Sequence, residues 1–356
     1  FKEKFGNASS RNHMFGWEAN DAVEIARQDV ADLISASPSE IIFTSGATES
    51  NNIAIQGIAK YQSNKEKHLI TVSTEHKAVL DVYEYLQSIG FKITVLSVNS
   101  DGFLDLKSLE DSIQDDTVLI SVMHVNNEIG IIQPIEEIGR ICKDRKIIFH
   151  VDAAQSVGKI SIDVDRMGID LLSISSHKIY GPKGVGALYI RKRKLQVNLA
   201  PIIFGGGHER KYRSGTLNVP SIVGLGKAAQ ICGENILEES NNIKKLRDLM
   251  FDKIISNNQN IFLNGSIENR IAGNLNIRIP GISNESLISN LPEIAISTGS
   301  ACTTSTIAPS YVLLSIGLSK EDANSSIRIG IGRFNTKSDI DFASEAILAC
   351  IKKIKN

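Results

Sequence analysis

Apolar and polar positions along the chain follow two rhythms in turn. From Glu18 to Ile34 the apolar residues Ala22, Val23, Ile25, Ala26, Val30, Leu33 and Ile34 form a helical stripe. The turn Ser37-Pro38-Ser39-Glu40 and a short apolar run, 41–44, follow. Ser45-Gly46-Ala47-Thr48 then opens a helix that carries Ile53, Ala54 and Ile58. Beyond it, apolar runs at 69–73, 93–97, 118–123, 147–151, 171–174 and 186–190 predict strands. Helical patterns at 77–89, 105–114 and 134–144 lie between several of them. Strands that are apolar throughout, alternating with helices, predict an α/β fold with a mostly parallel sheet between layers of helices.

The texture changes near residue 235. A charged amphipathic helix at 236–256 is followed by shorter strands at 260–263, 273–279 and 293–297 and by helices at 310–316 and 338–354. This pattern predicts a large domain over 13–235 and a smaller α+β C-terminal domain over 236–356, with 1–12 packing near the smaller one. A chain of 356 residues has room for two such cores.

Composition narrows the class without naming it. A formal net charge of -1 gives no pull toward nucleic acid or anionic membrane, and no apolar run is long enough to span a bilayer. The four cysteines, Cys142, Cys232, Cys302 and Cys350, are in no zinc-binding spacing, so no metal is expected. They read as reduced thiols. Cys142, Cys232 and Cys350 have apolar helical neighbours. Cys302 lies in Ser297-Thr-Gly-Ser-Ala-Cys302-Thr-Thr-Ser305, which nothing could pack into a core, so it is the nucleophile candidate.

Chemistry-bearing residues recur at predicted strand ends. Lys178 ends the run Leu171–Ile174 and precedes a glycine-rich turn. It reads either as a snorkelling lysine or as a partly desolvated amine able to hold a carbonyl as a Schiff base. Gly46, Ala47 and Thr48 read as a helix cap or as a phosphate cradle of backbone N–H groups. His76 follows strand 69–73, as a ligand-site residue or a helix-start histidine in solvent. Asn127 follows strand 118–123, as a turn former or a partner for a ring oxygen. Asp152 ends 147–151, where its charge needs a partner: a helix N-terminus or a protonated pyridine nitrogen, with Gln155 three residues on. Arg328, inside an alternating pattern, suits an internal salt bridge or bidentate capture of a carboxylate. The polar loop Gly205 to Thr216 implies tight backbone geometry but names no ligand.

In combination and order, these stretches resemble the fold-type I pyridoxal-phosphate enzymes. More narrowly, the chain resembles the cysteine desulfurases of the class V aminotransferase superfamily. The likeness rests on Thr44-Ser-Gly-Ala-Thr-Glu-Ser50, Thr74-Glu-His-Lys-Ala-Val-Leu80, Met123-His-Val-Asn-Asn-Glu-Ile-Gly130 and His150-Val-Asp-Ala-Ala-Gln-Ser-Val-Gly158. Ser176-His-Lys-Ile-Tyr-Gly-Pro-Lys-Gly184, Gly205 to Thr216 and Gly299-Ser-Ala-Cys302 extend it, so that it runs from about Gly6 to Phe334. The type of loop around Cys302 is similar to that of the group I, NifS/IscS-like branch.

The resemblance implies pyridoxal 5′-phosphate as cofactor, L-cysteine as substrate and a persulfide on Cys302 as the product left on the enzyme. It implies that Lys178 binds the cofactor and shuttles the α-proton, and that His76 stacks on the ring and assists proton transfer. Asp152 would pair with the ring nitrogen, with Gln155 and Asn127 near the ring oxygen. Ala47, Thr48, Ser175 and His177 would hold the phosphate, and Thr216 would reach the phosphate of the other subunit in a homodimer. Arg328 would clamp the substrate carboxylate. An iron–sulfur scaffold protein and other sulfur acceptors are the implied partners. The expected location is a bacterial-type cytoplasm, with a mitochondrion-like organelle left open. The family's Asn-Ala-Thr-Thr-like segment does not precede Phe1, so the amino end is expected to be incomplete, and housekeeping relatives run beyond the position of Asn356.

Overall fold

A computed structural model describes residues 4–62, 67–192, 197–258, 260–298 and 308–355. The chain divides into two compact units. The first contains Phe1–Leu96, Leu106–His124 and Gln133–Ile236; the second contains Ser97–Asp105, Val125–Ile132 and Leu237–Asn356. Two features of this division differ from a single cut at 235/236. The excursions 97–105 and 125–132 group with the C-terminal residues because Ile129 and Ile131, with Val98 and Phe103 beside them, pack on Val312, Leu313 and Ile316. Residues 4–12 group with the first unit, where the Trp17 indole N–H donates to the Arg11 carbonyl at 2.8 Å.

The first unit runs α1 (Met14–Leu33), β1 (Ile41–Thr44), α2 (Ala47–Tyr61), β2 (His68–Val72), α3 (Lys77–Ser88), β3 (Lys92–Leu96), α4 (Leu106–Asp111), β4 (Thr117–Met123), α5 (Ile135–Arg145), β5 (Ile148–Asp152), β6 (Leu171–Ser175) and β7 (Gly186–Ile190). Among the described residues its strands form one seven-stranded sheet in the order β1-β7-β6-β5-β4-β2-β3. All pairings from β6 to β3 are parallel, whereas β7 is antiparallel to both β1 and β6. Every residue of β1, β2, β6 and β7 is buried, as strands covered on both faces require. Ile42, Leu69, Leu171 and Leu188 of the sheet share a core with Ile53 and Ile58 of α2. Each such side chain contributes roughly 1.5–3 kcal/mol on burial. Cys142, Cys232 and Cys350 are buried thiols in helices.

Helix α6 (Val219–Asn257) begins 17 residues before the helix expected from the charge pattern. Pro220, Gly224, Gly226 and Gly233 weaken the helical pattern over its first half. Gly226 is there for close approach, since a Cβ would lie 2.6 Å from the Cα of Ala26 on α1.

The second unit continues with β8 (Phe262–Leu263), β9 (Asn274–Arg278), α7 (Asn284–Ser289), α8 (Tyr311–Ser315), α9 (Lys320–Asn324), β10 (Ser326–Gly330) and α10 (Lys337–Lys355). Among the described residues, β10, β9 and β8 form an antiparallel sheet in that order. Leu275, Ile277, Ile327 and Ile329 pack there with Met250, Ile254 and Ile347 of the flanking helices. The strand expected at 293–297 is reduced to one bridge, Ser297 to Arg328, because its side chains are exposed or only half-buried. Helices α7 and α9 are too short to show a period, although Ser283 and Ser319 cap them. No helix among the described residues is long and apolar enough to cross a membrane.

One buried ion pair pins the glycine-rich loop 205–216 to the sheet. The Arg27 guanidinium of α1 donates twice to Glu209, at 2.8 and 2.9 Å, and the Phe43 N–H of β1 donates to the same carboxylate at 2.6 Å. The backbone at Glu209, Arg210 and Lys211 has positive φ, so the loop is held in a conformation these residues rarely adopt. Breaking a buried pair by removing one partner is costly, because a charge stays behind. Arg27→Met is therefore expected to lower the unfolding free energy by about 3–5 kcal/mol, read from urea titration. Arg27→Met combined with Glu209→Leu should recover a large part of that loss.

Candidate active site

Strand register brings several functional candidates of the first unit to one edge of its sheet. Thr44 pairs with Gly186 and Gly186 with Ser175, while Ser173 pairs with Asp152 and Asp152 with Met123. The carboxyl ends of β1, β6, β5 and β4 thus lie side by side, the zone where open α/β sheets bind ligands.

At β1 the chain turns through Ser45 and Gly46 into α2. Gly46 is the N-cap, with φ 151°, and no side chain caps the helix. The first-turn N–H groups at Ala47 and Thr48 are thus left without a side-chain acceptor, and the space where a Gly46 Cβ would lie is open. A Cβ on Gly186 of β7 would sit 2.7 Å from the Gly46 Cα, so this strand can approach the turn only as glycine. Glu49 closes the turn: it accepts from the Ser45 N–H at 2.8 Å and from the Arg213 Nε at 2.7 Å. Burial pushes the Glu49 carboxyl up, but the bonds from Arg213 and Ser45 outweigh it and hold the group below its ordinary range. Arg213 therefore stands beside the helix N-terminus. The sequence had singled out only its loop.

At β6 the strand ends in Ser175 and passes into a single 3-10 turn, Ser176–Ile179, closed by Tyr180 in the left-handed conformation (φ 66°). Ser175 Oγ lies 3.0 Å from His177 Nδ1. Burial, then the charges of Lys178 and Lys183, lower the His177 pKa and favour the neutral ring. Lys178 is half-buried on this turn, not extended into solvent. His177 is exposed.

At β5 the Asp152 carboxylate is 5% exposed and has two donors, which makes it a fixed acceptor. Asn51 Nδ2, from the buried face of α2, donates to Oδ2 at 2.8 Å, and the Ala154 N–H donates to Oδ1 at 2.9 Å. Asn51 is completely buried and its Oδ1 has no partner among the described residues. Glu75 lies close by, with its Oε1 accepting from the Met123 N–H at 2.5 Å. Burial raises the Glu75 carboxyl well above its ordinary range, and the charge of Asp152 adds to that against the Met123 bond. His124, also buried, is lowered to about 4 by desolvation. Gln155 is half-buried, with its Oε1 held by Lys159 at 3.3 Å.

His76 is the N-cap of α3, with Nδ1 accepting from the Ala78 N–H at 3.0 Å. That bond assigns the proton of the neutral ring to Nε2. Thr216 is exposed in the same unit, just after Gly215, whose N–H donates to His208 Nδ1 at 3.2 Å.

Asn127 and Arg328 belong to the second unit and meet there: Arg328 Nη1 donates to the Asn127 carbonyl at 2.7 Å, and Nε to Ser297 Oγ at 3.2 Å. Among the described residues Arg328 makes no salt bridge within hydrogen-bond range, and its Nη2 has no hydrogen-bond partner. Asn127 Oδ1 is buried without one. Cys302 lies outside the described residues. Among those residues no cluster of His, Cys, Asp or Glu could hold a metal ion.

The first-unit edge fits pyridoxal phosphate on its own chemistry. An uncapped helix N-terminus suits a phosphate, a half-buried amine suits an aldehyde, and a fixed buried carboxylate suits a protonated ring nitrogen. Asn51, Glu75 and Arg213 were not singled out from the sequence. Glu75 falls within a motif that the sequence displays, directly before His76, and Asn51 directly follows another, but their partners are strands far away in the chain.

Comparison with known proteins places this arrangement. The aminotransferase class-V family matches residues 1–342. The chain is 55% identical over 353 residues to a cysteine desulfurase IscS of Ehrlichia chaffeensis, covering 99% of this chain and 86% of the relative. It is 54% identical over 352 residues to a protein of the same name from Tolumonas auensis, covering 99% and 87%. Among solved structures, a NifS-like protein superposes with a TM-score of 0.91 at 37% identity, over 99% of this chain and 93% of that one. The structure described as SspA in complex with cysteine gives 0.83 at 41% identity, over 94% and 93%. With a family match over nearly its whole length, a buried acid, a strand-end lysine and an open helix N-terminus at one sheet edge, the chain belongs to the aminotransferase class-V family.

Proposed function

We propose that this protein is a pyridoxal-phosphate-dependent cysteine desulfurase, taking sulfur from L-cysteine, releasing L-alanine and leaving the sulfur on Cys302. The observation that carries the reading is the Asp152 carboxylate, buried at the end of β5 and held by Asn51 and the Ala154 N–H, on the same sheet edge as Lys178 and the uncapped start of α2. The names of the relatives and of the cysteine-bound structure support the substrate.

Bound pyridoxal phosphate would supply a sink for the electron pair left when the α-proton departs. The rest falls to residues of the chain. The N–H groups of Ala47 and Thr48, the Thr48 and Ser175 hydroxyls and His177 would hold the phosphate. Asp152 would keep a proton on the ring nitrogen, and its two donors stop it from turning away. Gln155 would serve the ring oxygen through the amide NH2 that Lys159 leaves open, and the family resemblance gives Asn127 the same role. Lys178 would hold the cofactor's aldehyde, and its amine would move the proton at the substrate Cα. His76 would lie against the ring and would use Nε2 for proton transfer, since Nδ1 is committed to the Ala78 N–H. Arg328 takes the substrate carboxylate.

The Cys302 thiolate then attacks the substrate sulfur. A sulfur–sulfur bond forms as the Cβ–S bond breaks, the electron pair goes to carbon, and protonation there gives alanine. The persulfide passes to acceptors, an iron–sulfur scaffold protein among them. A second copy of the chain supplies Thr216 to the phosphate, and the enzyme works in a bacterial-type cytoplasm.

Three outcomes are expected. Purified protein should release alanine from L-cysteine and show an absorbance band near the visible edge. Lys178→Ala should lose both; retention of the band would remove the lysine from its role. Cysteine treatment should add the mass of one sulfur to the peptide containing Cys302, and Cys302→Ser should deliver no sulfide under reductant. Alanine release from that variant at the wild-type rate would overturn the assignment. Asn51→Leu should weaken cofactor binding by about tenfold or more, as expected for a lost hydrogen bond to a buried charge, measured by titration of the apoenzyme. Unchanged affinity would show that Asp152 does not depend on Asn51.

A further inference from the structure

Asn276 of β9 and Arg328 of β10 are Cα partners across the antiparallel pairing. Side chains at such a pair share one face of the sheet. Both of these reach the turn that contains residues 126–128. Arg328 Nη1 donates to the Asn127 carbonyl at 2.7 Å, and Asn276 Nδ2 donates to the next carbonyl, that of Glu128, at 3.0 Å. Consecutive peptide groups are therefore held by neighbouring side chains of the sheet.

The Asn276 amide has no freedom to turn. It is completely buried, and its Oδ1 accepts from Asn264 Nδ2 at 2.8 Å. Asn264 Nδ2 also donates to Ser326 Oγ at 3.0 Å, and Asn264 Oδ1 accepts from Arg278 Nη1 at 3.2 Å. A second amide, Asn274 Nδ2, meets the Glu128 carbonyl at 3.0 Å, while Asn274 Oδ1 accepts from the buried Arg270 at 2.9 Å. Asn126 Oδ1 secures the turn itself, accepting from the N–H groups of Glu128 and Ile129 at 2.8 and 2.9 Å. Both ends of the Asn264, Asn274 and Asn276 amides are thus bonded. Such a buried network is costly when half satisfied and rigid when complete. The apolar core of the unit takes the alternate residues of the same strands, Leu275, Ile277, Ile327 and Ile329, so the polar network is an addition to that core.

We infer that Asn276 is a positioning residue for Arg328, and thereby for recognition of the substrate carboxylate. By holding the Glu128 carbonyl it fixes the direction of the Asn127 carbonyl one peptide away, and that carbonyl orients the guanidinium. Nη2, which has no hydrogen-bond partner among the described residues, is then left for an anion in a plane set in advance. A rigid fork captures a carboxylate well only when its plane is already aligned. The inference deepens the proposed function and rests on Arg328 as the residue that takes the substrate carboxylate.

The test uses the holoenzyme and two ligands that differ by one carboxylate, L-alanine and ethylamine, with dissociation constants read from the cofactor absorbance. Asn276→Leu should weaken L-alanine about tenfold and ethylamine less than about twofold, with KM for L-cysteine up about tenfold and kcat within about threefold. Arg328→Ala should show the same selectivity. Adding Asn276→Leu to it should cost less than about twofold more, because Asn276 acts through the guanidinium. A merely structural role would weaken both ligands alike. That result, unchanged L-alanine binding in Asn276→Leu, or additive losses in the double variant would overturn the inference. Wild-type protein that binds L-alanine no more tightly than ethylamine, or Arg328→Ala with unchanged affinity for L-alanine, would instead remove the assignment of Arg328 itself. Should Asn276→Leu fail to fold, Asn264→Ala, which frees the Asn276 amide to turn, decides by the same comparison with a loss of about threefold.

Discussion

A carboxylate buried at the end of a parallel strand is the constraint on which the first unit depends. Asp152 sits where β5 leaves the sheet, and Asn51 and the Ala154 N–H each donate to one of its oxygens. Asn51 reaches it from α2, the helix whose opening turn forms the open N-terminus. One helix therefore serves two purposes: its buried face steadies the acid and its first turn offers N–H groups to an anion. Burial and the neighbouring Asp152 raise the Glu75 carboxyl well above its ordinary range, against the bond from the Met123 N–H.

The same edge shows how the chain sacrifices local preference to geometry. Gly46 has a backbone conformation that few residues share, Tyr180 is left-handed at the end of the lysine turn, and Glu209 to Lys211 are held at positive φ. Each departure is enforced by neighbours: β7 pressing on Gly46 through Gly186, and Arg27 gripping Glu209 from α1. Strain of this kind survives only where packing over-determines it, and here it falls on the turns that present side chains.

In the second unit, polar groups share the fixing with apolar ones. Arg328 does not hold all its donors ready for a ligand: two of them are occupied by Ser297 and Asn127. The excursion 125–132 supplies both the Asn127 carbonyl and the Glu128 carbonyl, and it joins this unit because Ile129 and Ile131 are buried against α8. Hydrogen bonding there adds direction to the apolar contacts.

Period and punctuation in the chain were sufficient for the alternating strands, the parallel sheet and the strand-end positions of Lys178, Asp152 and His76, because both rhythms are local properties of residues a few positions apart. Order of motifs supplied the family. Local rules failed at α7 and α9, too short for a period, and at the first half of α6, where glycines serve packing on α1 rather than helix propensity. They also failed for Asn51, Glu75, Arg213 and Asn276. Those residues matter through Asp152, Met123, Glu49 and Glu128, partners 48 to 164 positions away in chain order. Burial and pairing across such distances exist only once the sheet has set its register, and that decision belongs to the tertiary structure.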